Sequence, residues 1–121
     1  MPDKDATIRD LKQKVAAFIQ ERDWEQYHNP KDLSMSISIE AAELMELFQW
    51  KNAAEVEAAR KDPKALEKVK EELADVITYS LALANTLEID VSEAVEDKLR
   101  KNAEKYPVHK AKGSNKKYTE L

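Results

Sequence analysis

Two pairs of carboxylates stand out by residue type and spacing. Glu40 and Glu43 are three positions apart, and so are Glu72 and Asp75. On a helix that spacing puts both members on one face, about 4.5 Å apart along the axis. Each pair is embedded in apolar sequence: Ile37, Ile39, Ala41, Ala42 and Leu44 around the first, Leu73, Ala74, Val76 and Ile77 around the second. Carboxylates so placed repel one another and lose hydration, so they persist when protonated or when a hard cation neutralises them. An all-oxygen donor set without His or Cys selects magnesium, with manganese the other candidate, over zinc. The competing reading is a solvated acidic face, common in a chain that is 36% charged. A di-iron bundle needs Glu-x-x-His on each of two helices, and neither His28 nor His109 supplies one.

A second group of residues suits a nucleotide. The segment from Asp23 to Pro30 carries Trp24, Tyr27 and His28 beside Glu25 and Gln26. Trp24, Tyr27, Trp50 and Tyr79 offer flat faces to a base, and Gln26 and His28 offer donors and acceptors to its edge. The alternative for each aromatic is ordinary core packing, which Trp24 escapes best because it lies in a polar turn. Lys98, Lys101, Asn102 and Lys105 share one helical face and suit either a triphosphate or solvent. The single glycine, Gly113, lies near the C-terminus, which excludes a P-loop or a dinucleotide-binding turn. Phosphates must therefore be handled by metal ions and cationic side chains.

Helices must carry these groups. Thr7 and Asp10 form a capping-box pattern for a first helix to about Arg22, with Ile8, Leu11, Val15, Phe18 and Ile19 as its apolar stripe. The spacing predicts a second helix from about Leu33 to Trp50, capped by Asp32 or Ser34, and a short helix within the connection from Lys51 to Lys61. A third starts at Asp62-Pro63 and runs to about Leu87, apolar around most of its circumference after Leu73. Asp90 and Glu93 cap a fourth that ends near Lys105, ahead of Pro107. The expected fold is an all-α four-helix bundle.

Length and charge set further bounds. The 121 residues predict one domain, 1–121, with a basic tail from 107 to 121. The net charge of −4 gives no field that attracts duplex nucleic acid or an anionic membrane. No apolar run reaches the ~20 residues of a membrane span. The absence of cysteine and of an N-terminal apolar leader segment predicts a cytoplasmic location.

Read together, Glu21 to Pro30, Glu40-Ala41-Ala42-Glu43-Leu44, Leu47-Phe48-Gln49-Trp50, Glu71-Glu72-Leu73-Ala74-Asp75-Val76 and Lys105-Tyr106-Pro107-Val108-His109 resemble the MazG-like all-α pyrophosphatases, and most of all their dCTP-hydrolysing branch. The resemblance implies magnesium ligation by Glu40, Glu43, Glu72 and Asp75, and a nucleotide site lined by Trp24, Glu25, Gln26, Tyr27, His28, Trp50 and Tyr79. It implies that Lys98, Asn102, Lys105 and Tyr106 contact the substrate. It further implies a homotetramer built as a dimer of dimers, and hydrolysis of dCTP or a modified dCTP to the monophosphate and pyrophosphate. The family's hallmark opens with an additional Glu, and Ile39 stands at that position here. Two alternatives remain at this stage: the same reaction on another nucleotide such as dUTP or dATP, and a non-catalytic helical module that binds a partner through its acidic face.

Overall fold

The computed structural model describes residues 1–121 and contains helices and no strands. Six α-helices follow in order: α1 Ile8–Glu21, α2 Pro30–Glu46, α3 Ala53–Arg60, α4 Pro63–Leu87, α5 Val91–Lys105 and α6 Val108–Ala111. Single 3-10 turns lie at Glu25–Tyr27 and Tyr118–Glu120. The chain forms two compact units, Met1–Glu88 and Ile89–Leu121. No helix is long and apolar enough to cross a membrane.

In the first unit α4 is the central element, with α1, α2 and α3 laid against it. Its core is small. Ile19 of α1, Leu33 of α2 and Ala82 of α4 are buried together, with Val15, Tyr79 and Leu83 half-buried around them. A lateral tie joins α1 to α4 where the Asn85 side-chain amide donates to the Lys12 carbonyl at 3.0 Å.

Helix starts follow the local chemistry. Thr7 and Asp10 exchange side-chain and backbone bonds as a capping box, and Asp62 caps α4 with Pro63 in its first turn. The predicted start of α2 needs correction. Asn29, not Asp32 or Ser34, is the cap, accepting from the Asp32 N–H at 2.9 Å with Pro30 in the first turn. Asn-Pro is a helix opening here for the same reason as Asp-Pro at α4: proline has no N–H to leave unsatisfied at that position, and its φ is already helical. The predicted end at Trp50 is also corrected. Helix α2 stops at Glu46 and tightens into i→i+3 bonds, Phe48 to Met45 at 3.0 Å and Lys51 to Phe48 at 3.0 Å. The short helix expected between Lys51 and Lys61 is α3, boxed by Asn52 and Glu55. Helix α6 was not expected.

In the second unit Asp90 caps α5, which ends at Tyr106 before Pro107. Beyond it, α6 and the last 3-10 turn give the basic tail regular structure.

Candidate functional site

On α4, Glu72, Asp75, Tyr79 and Ala82 are spaced by three and four residues, so they form one stripe along the helix. The lower end of that stripe meets Glu40 and Glu43 of α2. Glu40, Glu43 and Glu72 each bring a carboxylate oxygen to a common point, all within 4.8 Å of one another. Glu40 and Glu72 are half-buried and each leaves a buried Oε2 without a hydrogen-bond partner. Asp75 is exposed and outside that trio, but its charge acts on both.

Burial pushes the Glu40 carboxyl up from the usual 4.5 to about 7, reinforced by the hydrogen bond and charge of Glu43 and the charges of Asp75 and Glu72. Glu72 is raised by the same causes, desolvation first and then Glu43, Asp75 and Glu71. Half-buried carboxylates that each keep one oxygen without a partner and resist ionisation are groups a cation would satisfy. The all-oxygen set therefore fits a hard divalent metal.

The sign of the consequence for stability is fixed. A group that binds its proton more tightly when folded favours the fold most while both states are protonated. For Glu40 that contribution is complete below about pH 4.5 and is lost as pH rises to about 7. Metal-free protein is expected to melt several degrees higher at pH 5 than at pH 7.5, and saturating Mg²⁺ should erase most of the difference. Melting curves at both pH values, with and without Mg²⁺, check this; a melting point that rises with pH in metal-free buffer would contradict it.

The upper end of the stripe lines a cavity of about 410 Å³, within the range of small-ligand sites. Trp24, His28, Asp75 and Tyr79 all face it, together with Lys14 and Phe18. Asp75 thus belongs both to the cavity and to the electrostatics of the carboxylate trio. Trp24 is delivered by the end of α1, where Asp23 takes a left-handed φ of 53°. The Trp24 N–H reaches back to the Ile19 carbonyl at 3.1 Å and the Asp23 N–H to Gln20 at 3.0 Å. This is a Schellman closure with Asp in place of the usual glycine. It turns the indole onto Phe18, edge to face at 6.0 Å. His28 sits 6.3 Å from the Tyr79 ring and keeps a buried Nδ1 without a partner, a group left over for a ligand.

Other expected contacts are placed elsewhere. Glu25 and His28 line a second cavity of about 400 Å³, with Gln20, Asn85 and Thr86. The Gln26 amide donates to the Asp23 carbonyl at 3.0 Å, and Tyr27 is largely exposed. Trp50 lies past the end of α2, 87% exposed and absent from the cavity wall. Lys98, Asn102, Lys105 and Tyr106 belong to the second unit; Asn102 is half-buried, and the Lys105 ammonium lies over the Tyr118 ring.

A family model described as MazG-like matches residues 35–121. The chain belongs to the MazG-like family. It is 44% identical over 115 residues to dCTP pyrophosphatase 1 of Rattus norvegicus, a match that covers 95% of this chain and 68% of the relative. The Homo sapiens protein of the same name is 42% identical over the same shares. In three dimensions the chain is similar to a pyrophosphatase from Archaeoglobus fulgidus, with a TM-score of 0.73 and 40% identity over 88% of this chain and 98% of that one.

In this MazG-like chain Lys14 and Phe18 also line the cavity, which sequence reasoning did not anticipate. Phe18, expected in the apolar stripe of α1, is 48% exposed, with the Arg22 guanidinium 3.7 Å from its ring centroid and Trp24 meeting it edge to face. Lys14 lies four positions before Phe18, and that i,i+4 relation was the available signal.

Proposed function

We propose that this chain is a magnesium-dependent pyrophosphohydrolase that converts a deoxynucleoside triphosphate and water to the monophosphate and pyrophosphate, with dCTP or a modified dCTP as substrate. Like its relatives it is an enzyme of the pyrophosphatase class. The observation that carries the reading is the single stripe on α4 that joins the Glu40–Glu43–Glu72 cluster, through Asp75, to a nucleoside-sized cavity walled by Trp24, His28 and Tyr79. Residues 1–121 are read as one catalytic domain.

Glu40, Glu43, Glu72 and Asp75 would hold the metal. A magnesium ion held by these carboxylates would supply positive charge against the triphosphate and make its α-phosphorus more open to attack. Glu43 orients the attacking water and accepts its proton. It is preferred over Glu71 because its oxygen belongs to the trio, whereas Glu71 reaches the trio only as a charge on Glu72. Trp24 and Tyr79 flank the base, and the free Nδ1 of His28 reads its edge. Lys98, Asn102 and Lys105 bind the polyphosphate. Water bonds to the α-phosphorus as the bond to the bridging oxygen breaks, and pyrophosphate leaves.

The test is a panel of canonical and modified triphosphates assayed with Mg²⁺ or Mn²⁺ in ¹⁸O-labelled water. The label is expected in the monophosphate, with pyrophosphate released and dCTP or a 5-modified dCTP preferred. Label in inorganic phosphate, with a diphosphate product, would identify a different reaction.

The assembly proposed is a homotetramer. Met35, Ile39 and Met45 on α2 and Leu73 and Ile77 on α4 are each between 45% and 57% exposed, an apolar surface that a free chain of this size rarely carries. Sedimentation equilibrium should return four times the chain's 13.9 kDa. Ile39→Lys together with Ile77→Lys should shift the mass to a smaller species; a wild-type monomer at micromolar concentration would reject the assembly.

A further inference from the structure

The C-terminal tail returns to the end of α5 by a short series of local devices. Tyr106 and Pro107 stop the helix, and α6 adds one turn. Gly113, the only glycine in the chain, then takes a φ of 77°, a conformation open to glycine at no steric cost. The Ser114 N–H donates to Ala111 at 3.0 Å and the Lys116 N–H to the Ser114 hydroxyl at 3.2 Å. The last turn, closed by the Glu120 N–H on Lys117 at 2.9 Å, places Tyr118 against Tyr106 edge to face at 6.0 Å. The Lys105 ammonium lies 4.9 Å from the centroid of the same Tyr118 ring.

We infer that Tyr118 is a positioning residue for the polyphosphate site, clasping Lys105 between the end of α5 and the tail so that its ammonium is presented preformed to the substrate's phosphates. The inference rests on the phosphate-binding role proposed above for Lys105. A lysine on a flexible stem loses rotamer freedom when it binds an anion, and a group that orders it beforehand lowers that cost. An aromatic face does so without neutralising the charge, because the ring draws the cation by its quadrupole while ammonium N–H groups on the other side stay free to donate. A carboxylate partner would order the lysine and cancel its charge. Lys105 takes part in none of the ion pairs of the chain. Tyr106 holds the clasping ring in turn by the edge-to-face contact.

The test measures the inhibition constant of inorganic pyrophosphate and the KM of the preferred triphosphate in the 121-residue chain. Lys105→Met should raise both by about ten-fold, the loss of one charged phosphate contact. Tyr118→Leu should raise both by about five-fold, as expected for a lost cation–π contact, and Tyr118→Phe, which keeps the ring, should stay within about two-fold of wild type. The double variant Lys105→Met/Tyr118→Leu should be no worse than Lys105→Met alone. If Lys105→Met leaves pyrophosphate inhibition unchanged, Lys105 is not a phosphate ligand. If Lys105→Met weakens it while Tyr118→Leu does not, or if the two losses add in the double variant, the clasp is wrong and the phosphate role of Lys105 stands.

Discussion

Glu72→Gln is expected to lower kcat by on the order of a thousandfold, the scale of a lost metal contribution to charge stabilisation in the transition state, while raising the melting temperature of the metal-free protein. The two effects have one cause. Glu72 is held next to Glu40 and Glu43 with an unpartnered buried oxygen and with its ionisation opposed by burial and by its neighbours. The neutral amide removes a charge the fold does not want and the reaction needs. Glu43→Gln and Asp75→Asn should share the loss of turnover. Steady-state kinetics in Mg²⁺, paired with thermal melts in chelator, check the prediction. Wild-type turnover in all three variants would remove the metal assignment, and a large drop in metal-free melting temperature would show that the cluster is structural.

Trp24→Ala is expected to raise the KM of the preferred triphosphate at least about ten-fold, since stacking on a base is worth ~1–3 kcal/mol. The indole is 43% exposed and makes an edge-to-face contact with Phe18 while facing the cavity with His28 and Tyr79. It is outside the buried core of Ile19, Leu33 and Ala82. Its removal should therefore cost about 1 kcal/mol of stability for the lost aromatic pair, well below the ~3–5 kcal/mol of a truncated core aromatic. Mg²⁺ affinity, measured calorimetrically, should be unchanged. A large loss of stability with KM at the wild-type value would make Trp24 a packing residue and move the base elsewhere.

The aromatic residues show how differently placed side chains of one type can be. Trp24, Tyr79 and Trp50 have the same claim on a base by residue type, yet only the first two face the cavity, and Trp50 stands almost fully in solvent. The difference arises from how two helices end. Helix α1 closes through a left-handed Asp23 that folds Trp24 back over the last turn. Helix α2 tightens after Glu46 into i→i+3 bonds, and Trp50 in that segment stands out in solvent. Neither ending has a glycine to announce it.

What the sequence determined by itself is local and periodic. The capping boxes at Thr7 and Asn52, the Asp-Pro opening of α4 and the Pro107 stop after α5 are decided within four residues. The Glu40/Glu43 and Glu72/Asp75 pairs were legible because a three-residue spacing on a helix fixes a shared face whatever the helix packs against. Asn29-Pro30 opens α2 by the same local chemistry as Asp62-Pro63, and the expected start at about Leu33 lies three residues past it. Only the tertiary structure decided which carboxylates meet. Glu40, Glu43 and Glu72 converge because α2 docks on α4, and the register of that docking depends on how Leu33 fits against Ile19 and Ala82. No spacing within one helix contains that register. The cavity is likewise a product of three elements, and so is the partnerless Nδ1 of His28, because what a side chain lacks is set by neighbours distant in the chain.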